Sequence, residues 1–287
     1  YAVFRSEDAG ATWSTATLAF SDTTPLIAVA FSPYFTSDRT AYLISRDQLF
    51  RSSDGGVHWA AVGAPPGAND LHDIVAHGYG RVSVATDAGV WQYATDWEET
   101  LVNGGFEADG GWTFPQTPLP AAVTEAITHS GDRAARIGVG PGSTTPTATA
   151  YSSVRQTLTL PRDALTATLR FHYLPTTEET ISATHLAFAD HQGPTANATG
   201  TTGDLQYAMI LETGDFLFRE LVDADRWLSR TFDLSDRAGQ SLTLHVGVVN
   251  DGQNGHTGMI LDDVSLLVRR LRPADLTERL YLPLVLR

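Results

Sequence analysis

With 287 residues, 42% of them hydrophobic and 18% charged, the chain is long enough for one large or two ordinary domains and lacks the excess charge of a disordered segment. Its formal net charge of −14 argues against a nucleic-acid partner, and the absence of cysteine excludes disulfides, thiolate metal sites and a cysteine nucleophile. Every basic residue is arginine, and no apolar run reaches the roughly 18 residues of a membrane-spanning helix. Val, Leu, Thr and aromatic residues, with 25 Gly and 14 Pro for turns, predict an all-β chain. The chain opens at Tyr1 without a signal-peptide pattern, as expected of a processed chain or a piece of a longer one.

Residues 1–97 carry a repeat. Ser6, Asp8, Gly10 and Trp13 recur as Ser52, Asp54, Gly56 and Trp59, 46 residues apart, each time after an alternating strand. The two stretches resemble the Asp-box of sialidase-type β-propellers, Ser-x-Asp-x-Gly-x-Thr-Trp, with His58 where the second copy would have Thr. In such a turn the Asp carboxylate accepts backbone N–H bonds, the Gly takes a positive φ, and the Trp folds back to fill the gap between strands. Segments 27–35 and 40–45 are expected to be strands of the next blade. A third blade begins at 73–76 and 81–86, continues through 89–93, and has no Asp-box after it. The resemblance implies partial propeller blades, not sialidase catalysis: the arginine cluster and its Arg-Ile-Pro segment have no match here.

Residues 98–103 are expected to form a hinge, and a jelly-roll β-sandwich is expected over 98–272. Its opening strand would be Leu101–Glu107 and its closing strand Ile260–Leu266. Strands are predicted near 121–127, 134–138, 150–160, 165–174, 205–211, 216–221, 228–234, 241–249 and 259–268. The order of these segments resembles the jelly rolls of bacterial carbohydrate-binding modules and their MAM-type relatives. That resemblance implies a structural Ca²⁺ held by Glu107, Asp262 and the Ser130-Gly131-Asp132 turn, with Asp132 in the ligand set; hard oxygen donors suit the ion. Asp262 capping backbone N–H groups is the alternative.

For a glycan, the candidate stacking residues are Trp227, Tyr207 and Tyr173, whereas Trp112 is expected in the core. His72 and His77 form no zinc pattern. The Gly/Pro/Thr stretch 139–149 and the long polar stretch 175–204, with its sequon at Asn197, read as loops. Residues 273–287 form a C-terminal tail whose alternating leucines, from Leu280 to Leu286, suit an added strand.

These features predict a non-enzymatic extracellular or bacterial cell-surface protein that binds a glycan or a neighbouring surface protein, without nucleic acid and without a membrane span. The alternatives are a subunit of a surface filament, polymerised through its tail, and the accessory end of a larger glycoside hydrolase.

Overall fold

The computed structural model describes residues 2–18, 25–77, 80–140, 146–179, 203–253 and 255–273, which are almost entirely strand, turn and loop. The predicted tail from Leu280 to Leu286 and the sequon at Asn197 lie outside these residues. No helix among them is long and apolar enough to cross a membrane. The chain divides into two compact units: Tyr1–Glu98 with Arg162–Leu165 and Arg269–Arg287, and Glu99–Pro161 with Thr166–Val268.

The first unit is built of antiparallel meanders. Strands β1 (Phe4–Arg5) and β2 (Ser14–Thr15) form a hairpin, and β3 (Thr17–Leu18) runs parallel to a later strand, β7. Strands β4 (Leu26–Phe31), β5 (Ala41–Ser45), β6 (Leu49–Ser52) and β7 (His58–Ala61) follow in spatial order. A single helical turn, α1 (Phe35–Asp38), interrupts the predicted 27–35 strand after Pro33 and ends at Arg39 in the left-handed region. Strands β8 (Leu71–Ala76), β9 (Val82–Thr86) and β10 (Gly89–Glu99) make the second meander.

β5 is an unbroken apolar run because both of its faces are covered. Tyr42 and Ile44 pack with Leu49, Leu71, Val82, Val84 and Tyr93, while Ala41 and Leu43 pack with Phe50 and Trp59. β4, by contrast, exposes Ile27, Val29 and Phe31. The segment Arg162–Leu165 is held in the unit by an ion pair between half-buried Arg270 and buried Asp163. Arg270 donates from Nη2 to Asp163 at 2.7 Å and from Nε at 3.1 Å, and its Nη1 reaches Glu98 at 3.2 Å.

Among its described residues the second unit pairs nine strands in two sheets. These are β11 (Ala122–Thr124), β12 (Ala134–Gly138), β13 (Ala150–Thr159), β14 (Ala164–Thr177), β15 (Leu205–Ile210), β16 (Asp215–Glu220), β17 (Leu228–Asp233), β18 (Ser241–Asn250) and β19 (Thr257–Pro273). One sheet has the order β13-β18-β15-β16; the other joins β11, β12, β19, β14 and β17. Each strand predicted over 121–268 has its counterpart, although β11 is shorter and β19 longer than the pattern suggests. Two-residue periodicity sends Val154, Leu158, Leu244, Val246, Ala208 and Ile210 inward, all of them buried. Gln206, fully buried among them, shares the two N–H groups of its Nε2 among Thr176 O, Val222 O and Gly258 O, and its Oε1 accepts from Val222 N.

The expected opening strand is not a strand. Leu101–Glu107 is a turn, with Asn103 and Phe106 at φ 54 and 61, and β10 runs through Glu99 into the predicted hinge. Asn103 dictates this: its amide donates to Ala108 O and Gly110 O, and its Oδ1 accepts from Ala108 N, closing a loop that a strand could not make. The turn still meets the closing strand, for Val264 N donates to Gly104 O at 3.0 Å. The approach is so close that a Cβ on Gly104 would lie 1.7 Å from Val264 O. Phe106 stacks on Trp112, which is in the core as predicted and donates from its indole to Asn103 O.

Candidate functional site

The two repeated octapeptides fold into the same turn. Ser6 and Ser52 hydroxyls donate to Asp8 and Asp54 and accept from Gly10 N and Gly56 N. The two glycines stand at φ 91 and 89. Each Trp indole donates to the Gly carbonyl three residues earlier, at 3.1 Å. In the first copy the Thr12 hydroxyl donates to Asp8 Oδ2 at 2.6 Å; in the second, His58 Nδ1 occupies that place, 2.6 Å from Asp54 Oδ2. The hydroxyl and backbone N–H of Thr12, with Ser6, hold Asp8 down to about 2. Burial pushes Asp54 up, but His58 and Ser52 outweigh it and leave its carboxyl below the ordinary value. The copies differ in their rings: Trp59 is 3% exposed and fills a core, as predicted, whereas Trp13 is 63% exposed, because no described strand covers it.

The predicted calcium residues converge on one turn in the second unit. Asp262, fully buried, accepts from His129 N at 2.8 Å, from Ser130 N at 3.2 Å and from Asp263 N at 2.7 Å. Burial pushes its carboxyl up, against those three donors. Glu107 accepts from Asp132 N at 2.9 Å and Arg133 N at 3.1 Å. Thus Glu107, Asp262 and the backbone of Asp132 are brought together, and the carboxylates are engaged by N–H donors.

Beside them lies a group that the spacing of histidines did not signal. His129 Nδ1 lies 2.5 Å from Asp263 Oδ2, and its ring stacks on His172 at 3.9 Å and 9°. Trp227, half-buried, meets His129 edge-on at 5.2 Å. Burial and then the neighbouring His129 lower His172. The three residues come from a turn and two strands far apart in sequence, so no local motif could join them.

Tyr173 and Tyr207 are interior, not exposed platforms. Tyr173 packs against Phe171 and Phe218, and its hydroxyl bonds Glu220 and Arg230. Tyr207 lies on the outward side of the four-stranded sheet with its hydroxyl 3.1 Å from His245 Nε2. Register places Arg155 across from His245 and Tyr207 across from Gly247. Phe216 meets Tyr207 edge-on at 6.0 Å, and the Arg219 guanidinium sits 5.0 Å over Phe216. Tyr151, 40% exposed, lies on the same side of β13 as Arg155 by strand alternation. Arg155 Nε and His245 Nδ1 have no hydrogen-bond partner. Burial, with Arg155 nearby, holds His245 down to about 4, so its imidazole is neutral at pH 7. Both nitrogens are buried, so what the face presents outward is the rings of Tyr151 and half-buried Phe216.

A third cluster joins Glu179, Asp204 and Asp251, whose ligand atoms lie within 4.8 Å of one another. Glu179 accepts from Asp204 N at 3.1 Å, and Asp204 Oδ1 accepts from Asp251 N at 2.8 Å. Burial pushes Asp204 up to about 6, against the Thr257 hydroxyl and the Asp251 N–H, with the charges of Glu179 and Asp251 adding to the rise.

No family model matches the chain, and no curated protein sequence does. Solved structures similar to it include TmCBM61 in complex with β-1,4-galactotriose, at 14% identity over 62% of this chain and 99% of that one, TM-score 0.35. Another is the CBM22-1 xylan-binding domain of Xyn10C from Paenibacillus barcinonensis, at 14% over 60% of this chain and 93% of that one, TM-score 0.29. A third is the enzymatically active domain of tailspike protein 4 of bacteriophage CBA120, at 12% over 61% of this chain and 21% of that one, TM-score 0.34. Similarity of this depth places no ligand on this chain.

Proposed function

We propose that the second unit is a carbohydrate-binding module that holds a glycan, without chemistry on it, on the outward face of its four-stranded sheet, and that the protein works outside the cell or on its surface. The observation that carries this reading is the pair of accessible rings on that face: Tyr151, 40% exposed on the side of β13 that also carries Arg155, and half-buried Phe216 with the Arg219 guanidinium over it. A sugar presents an apolar C–H face to a ring and hydroxyls to neighbouring polar side chains. The test is a glycan array with the full chain, followed by calorimetry on any glycan retained. Tyr151→Ala and Arg155→Ala are expected to weaken binding at least tenfold. An array without a hit, or variants that bind like the parent, would sink the proposal.

The calcium of the resembled modules would be held by Glu107, Asp262 and Asp132, fastening the Leu101–Glu107 turn to β19. A carboxylate has about four lone-pair sites. The N–H donors of the turn already take part of them, so an ion there is expected to bind weakly. A thermal scan of Glu107→Gln and the parent, with and without chelator, tests it; identical shifts place no ion at Glu107.

A second reading, of propeller blades that pack on another chain or on further blades, is favoured by the apolar surface of the first unit. Phe4, Trp13, Ile27, Val29 and Phe31 are all exposed there. Such a surface commonly marks an interaction site. A filament polymerised through the Leu280–Leu286 tail belongs to this reading, as does an accessory role in a larger glycoside hydrolase. Light scattering and electron microscopy of the chain, intact and lacking residues 280–287, decide the filament form: two monomeric samples refute it.

A further inference from the structure

Three strand ends of the second unit deliver carboxylates to one place. Glu179 follows β14, Asp204 precedes β15 and Asp251 follows β18. The backbone there is drawn tight. Gly255 stands at φ 140, and a Cβ on it would be 2.8 Å from the carbonyl carbon of Glu178 and 3.0 Å from Glu179 N. Glu178 N donates to His256 O at 3.0 Å.

Glu179 and Asp204 are buried, and Asp204 is only 4% exposed. One oxygen of Asp204 accepts from Asp251 N; the other, Oδ2, is buried and has no hydrogen-bond partner. Buried carboxylates are paired with a cation or neutralised, because the charge is otherwise far too costly to desolvate. Among the described residues, the hydrogen bonds to these carboxylates come from neutral groups, the backbone N–H of Asp204, Asp251 and Gln253, with the Thr257 hydroxyl also acting on Asp204. These neutral donors leave the gathered negative charge of the three carboxylates without a cation among the described residues.

The geometry points to a divalent-cation site formed by Glu179, Asp204 and Asp251, with Ca²⁺ as its ion. All three donors are hard oxygens, the set that Ca²⁺ prefers and that softer metals do not. Calcium–oxygen bonds of about 2.3–2.6 Å put two ligands of one ion roughly 5 Å apart or less. The 4.8 Å limit on the ligand atoms satisfies that. The remaining ligands of a six- to eight-coordinate ion would be carbonyls and water. The ion would join Glu179 to Asp204, 25 positions apart in sequence, and both to the end of β18. This site is separate from the turn at Glu107 and Asp262, and it does not depend on the glycan reading.

The experiment uses the full chain stripped of metal by chelation and then titrated with CaCl₂, read by calorimetry and by thermal scans at pH 7. Calcium is expected to bind and to raise the melting temperature by roughly 5–10 °C at a hundredfold excess over Kd. Asp204→Asn is expected to bind at least tenfold more weakly. In the absence of calcium it should melt no lower than the metal-free parent, since one of three mutually repelling charges is gone. Asp251→Asn, at a less buried position, should also weaken binding and serves if Asp204→Asn does not fold. Glu107→Gln should bind calcium like the parent in the tight phase. Absence of any calcium effect on the parent overturns the site. So does calcium binding that survives in both Asp204→Asn and Asp251→Asn, or that is lost in Glu107→Gln alone.

Discussion

Tyr207 occupies the space that a side chain on Gly247 would need. A Cβ at position 247 would stand 2.4 Å from the tyrosine oxygen and 2.5 Å from Cζ. The two residues are paired across β15 and β18, so the ring lies across the neighbouring strand and brings its hydroxyl to His245. Gly247→Ala is expected to push the ring off its strand. The overpacking should cost about 1–3 kcal/mol in a denaturant titration and weaken any glycan the face retains. Unchanged stability would show that the ring has another resting place.

His245 gives the same face a pH dependence. Its folded value of about 4 lies below the unfolded 6.5, so the unfolded chain takes up the proton first as pH falls. The contribution is complete above pH 6.5 and is lost progressively down to about 4, up to ~3 kcal/mol. Thermal scans across that window should show a falling melting temperature in the parent and a flatter curve in His245→Gln. Parallel curves would refute the assignment.

In the second octapeptide turn, His58 stands where the first has Thr12. His58→Thr should restore the hydroxyl contact seen between Thr12 and Asp8 and leave stability within about 0.5 kcal/mol. Asp54→Ala removes the acceptor of Val57 N and His58 N and should cost about 1–3 kcal/mol. Because Asp54 is held below its ordinary value, its contribution persists above the unfolded value and is lost below about pH 4. Equal melting of Asp54→Ala and the parent at pH 7 would contradict this.

Arg270→Ala strands Asp163, which is 5% exposed, without its bidentate partner. The expected loss is about 3–5 kcal/mol, and Asp163→Asn in the same background should recover part of it. A double mutant no better than the single would mean that the arginine acts through packing alone.

Apolar and alternating runs made the strands of 121–268 legible: β13 and β17 alternate in burial, while β15 and β18 are buried on nearly every residue. The two octapeptide turns were legible as a repeat because their serine, aspartate, glycine and tryptophan bonds fall within eight residues. Leu101–Glu107 misled because its apolar residues fit a strand, while the bonds of the Asn103 amide, which fix the turn, leave no periodic trace. Tyr173 and Tyr207 misled for a related reason: a tyrosine whose hydroxyl finds a partner can be buried, and the partners, Glu220 and His245, lie on other strands. The cluster of Glu179, Asp204 and Asp251 depends on three strand ends meeting, which no spacing along the chain encodes.

The contrast between Trp13 and Trp59 bears on how such a chain can change over generations. One ring is exposed and the other buried, yet both turns keep the same serine, glycine and indole bonds. The octapeptide thus carries its own instructions and asks little of its surroundings. A duplication that copied it elsewhere would arrive with its shape already determined, leaving only the tryptophan to find a neighbour.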